Sequence, residues 1–160
     1  MGKTARIFHR GRDGRSSPQC ASATADFANC PALGMNSVVY DTAVLVAADR
    51  NERRIWAEHK ARLELGVLPS VPAPVVAQVS RSPQQAQLRR FLTGCEVVSL
   101  GESEAHEAGR LLGKTRTADV VDAVVVTTAL RLKALILTGD GHDIKRLVAA
   151  SGRNLVVLPV

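Results

Sequence analysis

Short apolar runs alternate with stretches of helical period from residue 35 to the end of this 160-residue chain, and that alternation limits the fold more than any other feature. "SVVY", "CEVVSL", "ALILT" and "NLVVLPV" have strand length, and "GVLPSVPA" is a strand or approach segment interrupted by proline. Between them the spacing predicts a helix after Asp41 that breaks near Asn51 and resumes through "RRIWAEHKARLEL". Further helices are expected over "PVVAQVSR", over "QAQLRRFLTG" with Gly94 as a stop, over "ESEAHEAGRLLGKT" and over "GHDIKRLVAAS". Strands separated by helices are joined by crossovers and run parallel. The expected fold class is therefore α/β, a three-layer α/β/α sandwich with a mainly parallel central sheet.

One segment resists that scheme. "DVVDAVVVTTALRLK" has the composition of a strand at its start, where β-branched residues crowd together. Its length of about fifteen residues between turn signals exceeds an ordinary strand. A helix apolar on nearly every side is a buried, central one.

Hydrophobic residues make up 46% of the chain and aromatic residues 3%, so Val, Leu and Ala must fill the core and base stacking on aromatic platforms is a poor expectation. The net charge of +6 suits a polyanionic partner without requiring one. Cys20, Cys30 and Cys95 are odd in number and lack any metal-ligand spacing, which implies reduced thiols rather than disulfides or zinc. No apolar run reaches the length of a membrane span and no secretory signal opens the chain, so a soluble, cytoplasmic protein is expected.

Residues 1–34 differ from the rest. They carry five basic and two acidic residues with no sustained period, too little apolar surface to offset the entropy of ordering, and disorder is expected there. An upstream start site or an added extension accounts for them; a basic arm for nucleic acid is the alternative. Residues 35–160 form the working domain, with 16 basic and 13 acidic residues and a net charge of +3.

In sheets of this kind ligands collect at the carboxyl ends of the strands. Asp41 ends the first strand and Asp140 follows "ALILTG". Asp119 and Asp122, three residues apart, share a face of the first turn of the apolar helix. Four acids from three segments can thus meet at one edge, and crowded carboxylates call for a cation, for which Mg²⁺ or Mn²⁺ is the hard, oxygen-preferring candidate. Each acid also has a plain role. Asp119 is a good helix N-cap, Asp140 a good turn residue, and Asp143 the expected cap of the last helix. Thr42 can orient a carboxylate or a water. No phosphate loop, dinucleotide fingerprint or serine nucleophile elbow occurs, and Ala43 stands where a phospho-aspartyl phosphatase would need a second Asp. The four histidines are scattered, and Trp56 is expected to anchor the core.

"VVYDTAVL", "DAVVVTTALRLKALILTGDGHDIKRL" and the alternation between them resemble a PIN domain, more narrowly a VapC-type ribonuclease toxin of bacterial toxin–antitoxin pairs. The resemblance implies an Mg²⁺-dependent endoribonuclease whose metal is held by Asp41, Asp122 and Asp140, with Asp119 as an additional acid and Thr138 as the hydroxyl beside the last one. It implies an RNA substrate, a cognate VapB-type antitoxin and a homodimer. Gln78 is the departure, an amide where the pattern has Glu; a weaker or more Mn²⁺-dependent site is expected from the lost charge. Arg81, Lys114 and Arg116 are candidates for RNA phosphates, with Arg89 and Arg90 as ordinary solvated residues. The alternative is a non-catalytic PIN module that binds RNA or a partner protein.

Overall fold

The computed structural model describes residues 37–160; the expectations for residues 1–34 and for the boundary at residue 35 lie outside them. The elements follow one another as β1 (Val38–Tyr40), α1 (Thr42–Asp49), α2 (Arg53–Glu64), β2 (Ser70–Pro72), α3 (Ala73–Val79), α4 (Ala86–Leu92), β3 (Glu96–Val98), α5 (Glu102–Thr115), α6 (Val120–Leu132), β4 (Leu135–Thr138), α7 (Gly141–Ser151) and β5 (Val157–Pro159). The five strands form one sheet in the order β3-β2-β1-β4-β5, every neighbouring pair parallel.

That order dictates the layers. Connections from β1 to β2 to β3 step one way along the sheet and those from β3 to β4 to β5 step the other. Right-handed crossovers then place α1, α2 and α4 on one face and α5, α6 and α7 on the opposite face. Packing agrees, since α1 lies against α4 while α5, α6 and α7 lie against one another. The direction reverses between β1 and β4, so a crevice opens above the carboxyl ends of these two strands.

The strands are apolar on both sides because both sides are covered. Val39, Val71 and Ile136 are fully buried, each contributing roughly 1.5–3 kcal/mol of burial free energy. The ambiguous apolar segment is a helix, and Ala123 to Ala129 of α6 are buried without interruption. Asn51 adopts φ 58°, the left-handed turn that separates α1 from α2 at the expected position. The proline of β2 is also the N-cap of α3, which lets a strand pass directly into a helix.

One expectation needs correction. Gly94 does not stop α4 by adopting a left-handed conformation; Thr93 caps that helix in the right-handed region. Gly94 is needed for space, because a Cβ there would stand 2.5 Å from Nε2 of His59. Trp56, partly buried, packs from α2 against the core as expected, beside the buried ring cluster of Tyr40, His59 and Phe91. His59 and Phe91 stack with centroids 4.1 Å apart, and Trp56 meets Phe91 edge-on at 5.2 Å. The Tyr40 hydroxyl pairs with Nδ1 of His59 at 3.3 Å, so the buried polar ends satisfy each other. Among the described residues no helix is long and apolar enough to cross a membrane.

Candidate active site

Asp41 follows β1 immediately, at the crevice where the sheet changes direction. Its backbone N–H donates to the Leu137 carbonyl of β4 at 3.1 Å, which extends the ladder one residue past the strand. One carboxylate oxygen, Oδ1, accepts from the Thr42 N–H at 2.6 Å and caps α1. The other, Oδ2, accepts from the Thr138 hydroxyl at 2.7 Å. With 5% of its surface exposed, the carboxyl is pushed up from its ordinary range by burial, and the Thr138 and Thr42 bonds pull against that rise.

Thr138 ends β4 and is fully buried. Its single hydroxyl donates to Asp41 and accepts from the Asp140 N–H at 3.1 Å, so it ties together two acids from strands 97 residues apart in sequence. Asp140 is exposed, and its Oδ1 accepts from the His142 N–H at 3.1 Å. The cap of α7 is therefore Asp140, not Asp143 as the sequence suggested; Asp143 lies in the first turn.

Asp119 caps α6, its Oδ1 accepting from the N–H groups of Val121 at 2.9 Å and Asp122 at 3.1 Å. Asp122 sits one turn in, half-buried, and is pushed up to about 7. Burial is the larger cause, and the negative charges of Asp119, Asp41, Asp143 and Asp140 add to it. Asp122 is therefore the point at which the acids of three segments sense one another. On the far side α3 brings Gln78 to the same edge, where its Oε1 accepts from the Thr42 hydroxyl at 2.6 Å.

Beside these acids a cleft of about 330 Å³ is lined by Thr117, Ala118, Asp119, Asp122, Asp143, Arg146 and Leu147. Sequence reasoning left Arg146 aside and reduced Asp143 to a cap. The signal was present: residues 140, 143, 146 and 147 share one face of a helix that starts at the site. The basic candidates from sequence line other surfaces. Arg81, Lys114 and Arg116 are exposed, and Lys114 belongs to a separate cleft of about 420 Å³ with Glu104, Glu107 and Arg110.

The donors gathered at this edge are all oxygen: four carboxylates, the Thr42 hydroxyl and the Gln78 amide. Such a set suits Mg²⁺ or Mn²⁺ rather than a metal that prefers thiolate. The Cys95 thiol is pushed up to about 12 by burial, and offers neither a thiolate ligand nor a nucleophile. Among the described residues no three His, Cys, Asp or Glu side chains stand close enough to hold one ion together. Mg²⁺ binds through one or two carboxylates and several waters, so the donor set fits in chemistry and charge with fewer direct protein ligands than the sequence suggested.

No family model matches the sequence, and no curated protein matches it. Solved structures do. A chain of the crystal structure of VapBC2 from Rickettsia felis, bound to a DNA fragment from their promoter, superposes with a TM-score of 0.61 at 17% identity, over 78% of this chain and 98% of that one. The fold is PIN-like. A chain of a toxin–antitoxin complex from Klebsiella pneumoniae also matches, with a TM-score of 0.53 and 17% identity over 66% of this chain and 88% of that one. On the PIN-like sheet, Asp41, Gln78, Asp122 and Asp140 all lie at the carboxyl edge, and Thr42 and Thr138 are hydrogen-bonded to members of that group.

Proposed function

We propose that this chain is a divalent-metal-dependent endoribonuclease of the VapC type, the toxin of a toxin–antitoxin pair. The observation that carries the reading is the gathering of acids around Asp122, a half-buried carboxyl pushed up to about 7 by burial and, after it, by four other acids, at the edge where an α/β sheet binds its ligands. One or two of Asp41, Asp122 and Asp140 would hold Mg²⁺ or Mn²⁺ directly and the rest through its waters, with Asp119 adding charge and Gln78 an amide oxygen. When bound, the ion lowers the pKa of a water and neutralises charge on a phosphodiester. The chain's own residues orient and hold. Thr138 fixes the Asp41 carboxylate, Thr42 fixes the Gln78 oxygen, and the N-termini of α1, α6 and α7 converge there with partial positive charge. Arg81, Lys114 and Arg116 stand as candidates for more distant RNA phosphates.

The likeness to chains of toxin–antitoxin complexes supports a VapB-type antitoxin as partner; a homodimer in the cytoplasm completes the proposed reading. The second reading is a non-catalytic module that binds RNA or a partner protein; the Gln78 amide and the spread of the acidic side chains favour it. Purified protein incubated with total RNA and Mg²⁺ or Mn²⁺, with an EDTA control, separates the two. Metal-dependent cleavage that Asp122→Asn abolishes is the expected result. RNA binding with no cleavage under any metal would establish the second reading instead.

A further inference from the structure

Arg146 is the only basic residue lining the acidic cleft. Arg146 lines the same cleft as Asp119, Asp122 and Asp143, and forms no ion pair with any of them. Arg146 is also not free to wander. Its Nη2 donates to the Thr115 carbonyl at 2.7 Å, one of the orphan acceptors at the carboxyl end of α5. That bond consumes one of the five N–H groups of the fork and leaves the others available.

The bond also shapes the cleft. Immediately after Thr115 the chain turns through Arg116 at φ 54°, passes Thr117, whose hydroxyl pairs with that of Thr115 at 2.7 Å, and reaches Asp119 at the head of α6. Arg146 thus clips the start of the loop that leads into the cleft, and shares the cleft lining with Asp119, Asp122 and Asp143. A guanidinium fixed by one hydrogen bond beside a cation-attracting group of carboxylates matches an anion that must touch both. A phosphodiester is such an anion, with two non-bridging oxygens that a fork can grip and a bound cation can share.

We propose that Arg146 is a further catalytic residue, which grips a phosphate of the RNA chain in the cleft it shares with the acids, held in place by its bond to the Thr115 carbonyl. The proposal rests on the ribonuclease reading and adds to it the protein group that contacts the substrate anion. In outline, the carboxylates gather positive charge at one side of the phosphate and Arg146 supplies it at the other. Donors held in place before the reaction begins are worth more than donors that must be recruited during it.

The test compares Arg146→Lys, Arg146→Gln and Arg146→Ala with the parent chain on a fluorescent single-stranded oligoribonucleotide, with Mn²⁺, across a series of salt concentrations. Loss of a phosphate grip lowers kcat/KM by about tenfold to a hundredfold in the Ala and Gln variants, with Lys retaining part of it. It also makes the slope of log affinity against log salt less steep by about 0.7 for a single-stranded ligand. Mn²⁺ affinity, read by calorimetry without RNA, is expected to stay within about twofold of the parent. A residue that merely braces the loop would behave otherwise: Mn²⁺ affinity and melting temperature would fall together while the salt slope stayed fixed, and that result overturns the proposal. Equal cleavage by parent and Ala variant overturns it as well. Should the parent cut no RNA at all, the nuclease reading fails, and the salt slope of RNA binding alone still decides whether Arg146 meets a phosphate. If the Ala variant does not fold, Lys and Gln carry the comparison, since both retain an N–H donor for Thr115.

Discussion

Replacing Asp122 with Asn should stabilise the protein at pH 8 in EDTA while destroying the proposed activity. The Asp122 carboxyl is at about 7 in the folded chain against an ordinary 3.8. A carboxyl raised on folding binds its proton more tightly folded than unfolded, so its contribution is fully present at low pH and is lost as pH rises from about 4 through about 7. Three units at 1.36 kcal/mol each give an upper bound of about 4 kcal/mol. The group is only partly buried, and screening reduces this to about 1–2 kcal/mol. The anion also lies in the first turn of α6, where the helix dipole favours it by about 0.5 kcal/mol, a gain that Asn forgoes. The net expectation is a gain of about 1 kcal/mol at pH 8 that vanishes near pH 4. Urea unfolding followed by circular dichroism at the two pH values reads it as a midpoint shift of about 0.5 M for an m-value near 2 kcal/mol/M. Adding Mn²⁺ should stabilise the parent and not the variant. A variant less stable than the parent at pH 8, or equally displaced at both pH values, would refute the idea that repulsion among these acids is stored at Asp122.

Thr138→Val keeps the shape of the side chain and removes both the donor to Asp41 and the acceptor for the Asp140 N–H; a loss of about 2–3 kcal/mol in urea unfolding is expected, with Thr138→Ser close to the parent. Asp119→Asn should leave the melting temperature unchanged and weaken Mn²⁺ binding through its lost charge, whereas Asp119→Ala should also cost about 1 kcal/mol, since Asn caps a helix as well as Asp does. Gln78→Glu preserves an acceptor for the Thr42 hydroxyl and restores a carboxylate; Mn²⁺ affinity measured by calorimetry should rise on the order of tenfold, and an unchanged value would show that no cation sits near this side chain.

The order and type of the elements were legible because the signals were local. Five short apolar runs, a left-handed Asn51 and a proline leading into α3 each act within a few residues, and the parallel sheet follows from their alternation. The buried α6 was legible through length alone, since its composition points to a strand. The site was legible in its residues and less so in its arrangement. Which acid caps α7 turned on a one-turn difference between Asp140 and Asp143 that propensity cannot resolve, because both residues are good caps. Arg146 was hidden for another reason. A lone basic residue on an amphipathic helix looks solvated until the loop it bonds is in place, and that loop begins 31 residues earlier. The space requirement at Gly94 was hidden likewise, since it depends on a histidine from α2.

The link through Thr138 has a consequence for when this edge can act during synthesis. Asp41 leaves the ribosome early and Asp140 late, and the hydroxyl that joins them belongs to a strand made 97 residues after the first. A partly made chain has all of α1, α2 and α3 and still lacks the strand that completes the crevice. Whatever chemistry the edge performs is thereby withheld until nearly the whole domain has emerged. On the proposed reading, the crossover order of the sheet would itself delay activity, before any partner has bound.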